Sequence, residues 1–141
     1  MTARQSYHLT FARFSPSLSV KSFTASEAAN TAYRVEITAT STDSSLPLSS
    51  YLNQRAAFEI RPQEAVLSEV AAAFSAGSDE SPAKQWQGII TSCEKLSVSK
   101  DETVYRFVLE PRFAALKHFQ TSRLFQHQTV PDIVAAVFKH H

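Results

Sequence analysis

Glycine is scarce in this sequence: the chain has two, Gly77 and Gly88, in 141 residues. Average usage of about 7% would place roughly ten glycines in a chain of this length. Phosphate-cradling loops and the G-x-S-x-G nucleophile elbow of hydrolases both need closely spaced glycines, because their backbone must approach a ligand or adopt positive φ. Two isolated glycines exclude both kinds of loop, and no parallel nucleotide-binding sheet is expected.

The sequence also has little cysteine, no long apolar run and no excess of charge of either sign. Cys93 is the sole cysteine, which excludes an internal disulfide framework and a multi-cysteine metal site. The 14 Lys and Arg against 13 Asp and Glu leave a net charge of +1, without the excess of cations typical of nucleic-acid binders. No apolar run approaches the roughly 20 residues of a membrane helix, and the first residues show no secretory signal. We therefore expect neither nucleic-acid binding nor membrane insertion by this segment.

Short alternating runs rich in Phe, Tyr, Val and Thr dominate the sequence and predict β-strands. The clearest covers 33–40, where Tyr33, Val35, Ile37 and Ala39 alternate with polar residues, as in an antiparallel sheet with one wet face. Pro62 is expected to end the fourth strand. The six predicted strands are 7–14, 19–25, 33–40, 56–61, 85–99 and 103–109. The fold class is therefore mainly β, a β-rich α+β domain built as an antiparallel barrel or sandwich.

A few helices complete the prediction. Short helices are expected within 47–53 and after Pro111, which can occupy the first helical position. Apolar spacing from Val66 to Phe74 favours an amphipathic helix over 63–76. The last helix has the best signals, because Thr129 can cap it and Asp132 lies three residues on, as in a capping box. Its apolar stripe needs a packing partner and consists of Val130, Ile133, Val134, Val137 and Phe138.

No constellation in the sequence carries catalytic, cofactor or metal chemistry. The histidines lack the i, i+4 helical spacing of a metalloprotease motif. Cys93 has no readable base or helix terminus to lower its pKa, so it is expected to be a small core or edge residue. The carboxylates fall on alternating strands or turns, at Glu59, Glu94, Asp101, Glu102 and Glu110. We predict no enzyme activity and no cofactor.

One alternative class of function remains open at this point. An aromatic β-barrel with interleaved arginines can bind single-stranded nucleic acid by stacking. Four arginines here adjoin aromatic residues, but acidic residues match them, including the alternating pairs Arg34/Glu36 and Glu59/Arg61. Core packing explains the aromatics better. The four arginines are Arg13, Arg34, Arg61 and Arg106.

Three ordered motifs in the second half resemble the N-terminal region of VgrG, the spike or tip protein family of bacterial type VI secretion. They are the segments WQGIIT (86–91), VYRFVLEP (104–111) and SRLFQHQTVPDIV (122–134). The first half fits more loosely, and Asn53 stands where many relatives have glycine at the end of the short helix. The residues that match the family motifs are Gly88, Ile89, Tyr105, Leu109, Pro111, Arg123, Phe125, Gln126, Val130, Asp132 and Ile133.

This resemblance implies a structural protein similar to the baseplate hub of contractile phage tails. Its barrel would be related to that of the type VI tube protein Hcp. Residues 1–122 would form a first hub-like barrel with a helix or loop insertion at 63–82, and 123–141 would lead to the remainder of the hub. The implied partners are its own copies in a homotrimer, the Hcp tube, baseplate proteins, and effectors or adaptors. The implied localisation is the bacterial cytoplasm during assembly, followed by secretion into a target cell or the medium.

Overall fold

The computed structural model describes residues 4–63 and 84–140 of the chain. The helix predicted over 63–76 lies outside these residues, apart from Gln63. No described helix is long and apolar enough to cross a membrane. The strands are β1 (Arg4–Phe11), β2 (Ser19–Ala28), β3 (Thr31–Ser41), β4 (Arg55–Gln63), β5 (Lys84–Val98) and β6 (Thr103–Glu110). The helices are α1 (Leu48–Tyr51), a 3₁₀ helix (Arg112–His118) and α2 (Val130–Lys139).

All six strands belong to one sheet in the order β1-β4-β5-β6-β3-β2, and every neighbouring pair is antiparallel. This confirms the mainly β fold class. Alternation along β3 is also confirmed, because Val35, Ile37 and Ala39 are fully buried whereas Arg34 is exposed. A period-two pattern thus placed one face of the strand in the core.

Two proline predictions need correction. β4 continues through Pro62, which pairs with Gln5 of β1. Beyond Ile60 the described part of β4 is paired on the β1 side alone, so a missing N–H there interrupts no ladder on the other side. Pro111 does not take the first position of a helix: it is extended (φ −62°, ψ 150°) and directly precedes the 3₁₀ helix.

Aromatic contacts show that the sheet is strongly curled. Phe23 of β2 lies 5.0 Å, centroid to centroid, from Phe58 of β4. In a flat sheet these strands would be about 19 Å apart, at four steps of roughly 4.8 Å. Phe11 of β1 likewise reaches Phe107 of β6, at 5.4 Å. The curl therefore wraps both edges around one aromatic core.

The two edge strands meet through side chains. Tyr7 of β1 packs on Phe23 of β2 at 5.3 Å. Glu27 of β2 pairs with Lys84 of β5 at 3.0 Å and accepts a hydrogen bond from the Trp86 indole. Among the described residues no backbone ladder joins β1 to β2, so the sheet is a curled half-barrel. We use the word seam for the contacts that Glu27 and Phe23 of β2 make with β1, β4 and β5 on the other side of the half-barrel.

Candidate functional site

Gly88 lies in β5 where β6 ends, and its surroundings leave no room for a side chain. A Cβ built there would lie 2.8 Å from the carbonyl carbon of Glu110, closer still to its oxygen, and 3.0 Å from the hydroxyl of Tyr33. The Tyr33 hydroxyl in turn donates a hydrogen bond to the Gln87 carbonyl. The first family motif therefore contains glycine because two strands and a tyrosine converge on its backbone.

The turn after α1 closes the same end of the half-barrel. Asn53 adopts φ 60°, a left-handed conformation that Asn and Gly tolerate better than other residues. Its N–H donates to the Ile90 carbonyl at 2.9 Å, and the Ile90 N–H donates to the Gln54 carbonyl at 3.0 Å. These two bonds hold α1 against β5. The positive φ of Asn53 explains why asparagine can stand where many relatives have glycine.

A large groove lies beside this turn, between the ends of β1 and β4, the 3₁₀ helix and the last turn of α2. Its volume is about 1250 Å³. None of the described residues that line it is acidic. The basic lining residues are Arg13, Arg55, Arg112, His118 and His140, and the large apolar ones include Leu52, Phe113, Phe119 and Phe138. We call this feature the basic groove.

Carboxylates neutralise the cations on the sheet, whereas Arg13 and Arg55 of the basic groove form no ion pair within the described residues. Arg61 pairs with Glu59 at 2.6 Å, and Arg106 pairs with Glu94 at 2.6 Å. Arg34 pairs with Glu36 at 3.0 Å, and Lys21 pairs with Glu102 at 2.6 Å. The acidic residues expected to match the sheet arginines are therefore their ion-pair partners.

The family-motif residues separate into two groups in space. The first group, from β5 and β6 to Pro111, is buried or half-buried in the half-barrel. The second lies on 122–129 and α2, outside the aromatic core, and is exposed or half-buried. The segment 122–126 pairs with no strand in the described part. The first group is Gly88, Ile89, Tyr105, Leu109 and Pro111; the second is Arg123, Phe125, Gln126, Val130, Asp132 and Ile133.

Comparison with protein families matches residues 26–141 to the phage tail baseplate hub (GPD) family. The chain belongs to this family. Among solved structures, the chain is similar to the E. coli c3393 protein, with a TM-score of 0.72 and 30% identity over 94% of this chain. That protein is described as a component of the type VI secretion system with structural similarity to the T4 bacteriophage tail proteins gp27 and gp5. The resemblance inferred from the sequence motifs is confirmed.

The hub chain spans 31% of the length of that E. coli protein. No curated protein matches it. Hub and tail families consist of structural proteins that are in general not enzymes, so the structural class expected from the motifs is supported.

The capping box predicted for α2 of this hub chain is present. The Thr129 hydroxyl accepts from the Asp132 N–H at 3.4 Å, and the Thr129 N–H donates to the Asp132 carboxylate at 3.2 Å. The hydrogen bonds from Thr129 lower the pKa of Asp132. The apolar stripe, which was expected to need a packing partner, is not covered: no residue of α2 is buried in the described part of the chain. Val130 is 74% exposed and Phe138 is 52% exposed.

Cys93 is held in the structure of the hub chain and is not activated. The Cys93 thiol donates a hydrogen bond to the Leu48 carbonyl at 3.0 Å. Burial raises the pKa of this thiol, whereas the pKa of an activated nucleophilic cysteine is lowered. Within residues 4–63 and 84–140, no group of three or more His, Cys, Asp or Glu side chains is placed to hold a metal ion. The basic groove and the exposed second group of motif residues are accessible surfaces of the described part of the chain.

Proposed function

We propose that this chain is a structural part of the type VI secretion spike, within the hub that joins the Hcp tube and the baseplate to the spike. In the full-length protein it would assemble as a homotrimer and contribute to effector delivery. It would assemble in the bacterial cytoplasm and then be secreted. No catalytic step and no cofactor are part of this proposal.

The observation that carries the proposal is the match to a type VI secretion component over 94% of the chain at 30% identity. The family match over residues 26–141 supports it independently. A hub must transmit force without deforming, and a curled sheet with a continuous aromatic core is suited to that task. The division into a barrel at 1–122 and a connecting segment at 123–141 belongs to the same proposal.

The proposal can be tested in the bacterium that encodes the chain. The coding region for Gly88 is changed to Val in the chromosome, with Gln87→Ala, an exposed neighbour on β5, as the matched control. We expect Gly88→Val to abolish release of the Hcp tube protein into the medium, because it breaks the half-barrel, whereas Gln87→Ala keeps release. Normal Hcp release from a strain that lacks residues 4–140 would refute the hub role.

The alternative, binding of single-stranded nucleic acid, loses support in the structure. Arg34, Arg61 and Arg106 form ion pairs with glutamates on the sheet, so they are not arranged to contact phosphates. We expect no electrophoretic shift of a single-stranded oligonucleotide at low salt, where counterion release makes such binding strongest. A salt-dependent shift would favour the alternative.

A further inference from the structure

We propose that the basic groove is a docking site for an acidic peptide segment of a partner protein. Carboxylates of that segment would pair with Arg13 and Arg55, and its apolar side chains would contact Phe113 and Phe138. This inference does not depend on the hub role, because it rests on the charges and apolar surface of the groove itself.

The first argument is charge. Arg13 and Arg55 are exposed and line the groove, yet neither has an ion-pair partner in the described part of the chain. Arginines on the sheet of the same molecule are paired with glutamates. Two arginines without an ion-pair partner among the described residues, Arg13 and Arg55, raise the local positive potential and attract negatively charged partners.

The second argument is the apolar surface that accompanies these charges. Leu52 is 43% exposed, Phe113 is 49% exposed and Phe138 is 52% exposed, and all three line the groove. Half-exposed aromatic side chains beside arginines are typical anchor positions of protein interfaces. The volume of about 1250 Å³ exceeds the roughly 300–1,000 Å³ of most small-molecule pockets. The groove therefore fits a peptide segment better than a metabolite.

Charge also favours an acidic peptide over two other occupants of the groove, a second copy of this chain and a nucleic acid. A symmetric contact between two copies through this groove would place Arg13 and Arg55 against the same cations of the other copy, which is repulsive. The sheet carboxylates that could approach it from a second copy are already paired, as with Glu59 and Glu94. A nucleic acid would satisfy the arginines but would leave Leu52 and Phe138 beside a charged backbone. An acidic segment with apolar side chains satisfies both features.

The test uses a fluorescently labelled decapeptide of alternating glutamate and leucine with one phenylalanine, and measures its anisotropy as the protein is added. The comparison peptide has lysine in place of every glutamate. We expect the acidic peptide to bind and the basic one not to bind. Affinity should fall as salt is raised from about 50 mM, where screening of exposed charges is weak.

Charge-reversal variants locate the site. Arg13→Glu and Arg55→Glu should each weaken binding at least about threefold, and the double variant at least about tenfold, as expected when an attraction becomes a repulsion. The matched control is Lys100→Glu, which makes the same charge change in the β5–β6 turn, away from the groove. It should leave affinity nearly unchanged. Phe113→Ser should weaken binding without changing its salt dependence.

Three results would overturn the inference. They are equal binding of the two peptides, equal losses for Lys100→Glu and Arg55→Glu, and tighter binding of a single-stranded oligonucleotide than of the acidic peptide. A fourth result would overturn it as well: if the protein self-associates at increasing concentration in sedimentation and the peptide is released, the groove belongs to a second copy. Circular dichroism of each variant verifies that a loss of binding is not a loss of fold.

Discussion

At Gly88 and Asn53, the space around the backbone or its φ angle restricts which residue types fit. Gly88 faces the Glu110 carbonyl and the Tyr33 hydroxyl at distances that exclude a Cβ. Asn53 has φ 60° and forms the hydrogen-bonded turn against Ile90. The sequence shows the residue types at these positions, but the contact that makes Gly88 necessary joins residues far apart in the chain.

We expect Gly88→Ala to lower the free energy of unfolding by about 3 kcal/mol, because a methyl group against a backbone carbonyl forces β5 and β6 apart. Urea unfolding followed by tryptophan fluorescence measures the change, since Trp86 lies two residues away in the core. The control Gln87→Ala, at an exposed position of the same strand, should stay within about 0.5 kcal/mol of the parent. If Gly88→Ala is as stable as the parent, β6 can move away from the added methyl group with no loss of unfolding free energy.

Asn53→Ala is expected to lower the free energy of unfolding by about 1 kcal/mol, because alanine pays the full cost of a left-handed backbone. Asn53→Gly should be equal to the parent or slightly more stable, since glycine adopts positive φ freely. Thermal unfolding of the two variants gives the comparison. If both variants lose the same stability, the Asn53 side chain and not its backbone angle holds the turn.

At the scale of elements, α2 has the capping box that starts a helix but lacks a buried apolar face in the described part of the chain. Its capping box is local in sequence and was predicted correctly from Thr129 and Asp132. The apolar stripe was also read correctly as a stripe, but no residue of α2 is buried in the described part of the chain. An apolar stripe indicates that one face of a helix is suited to packing against another surface. It does not indicate which part of the structure provides that surface.

Thr129→Ala should reduce the helicity of α2 while leaving the global unfolding midpoint unchanged. Loss of the cap costs a helix about 1 kcal/mol, and a helix of 10 residues is marginal without packing. Hydrogen exchange should therefore quicken at amides of α2 and stay unchanged at Ile37 and Phe107, which are fully buried. Thr121→Ala, in the preceding segment, is the control. A clear fall in melting temperature would mean that α2 stabilises the half-barrel.

For the molecule as a whole, curvature determines which side chains meet. Phe23 and Phe58 are separated by three intervening strands in the sheet order, yet their rings are 5.0 Å apart. Glu27 joins the same seam through Lys84 and Trp86. Hydrogen bonds from Lys84 and then Trp86 lower the pKa of Glu27 from its ordinary value of 4.5. The seam is therefore sensitive to acid.

A carboxyl with a lowered pKa stabilises the folded state above its unfolded value of 4.5, and this contribution is lost as pH falls through the lowered pKa. We expect Glu27→Gln to be less stable than the parent at neutral pH and to approach it at pH values well below 4.5. Urea unfolding at several pH values measures the difference. Ser26→Ala, next to it on β2, should follow the parent throughout. A constant gap between Glu27→Gln and the parent would show that the carboxylate charge does not stabilise the seam.

The sequence itself determined the approximate strand positions, the buried face of β3, the N-terminal capping box of α2 and the family motifs. They depend on neighbours within a few residues or on a spacing of two, so a one-dimensional pattern contains the necessary information. Only the tertiary structure decided the course of β4 through Pro62, the seam and the tight contact at Gly88. It also decided that Arg13 and Arg55 have no ion-pair partner among the described residues. Each depends on which distant strand or side chain the curled sheet brings near, and sheet curvature is a property of all six strands together.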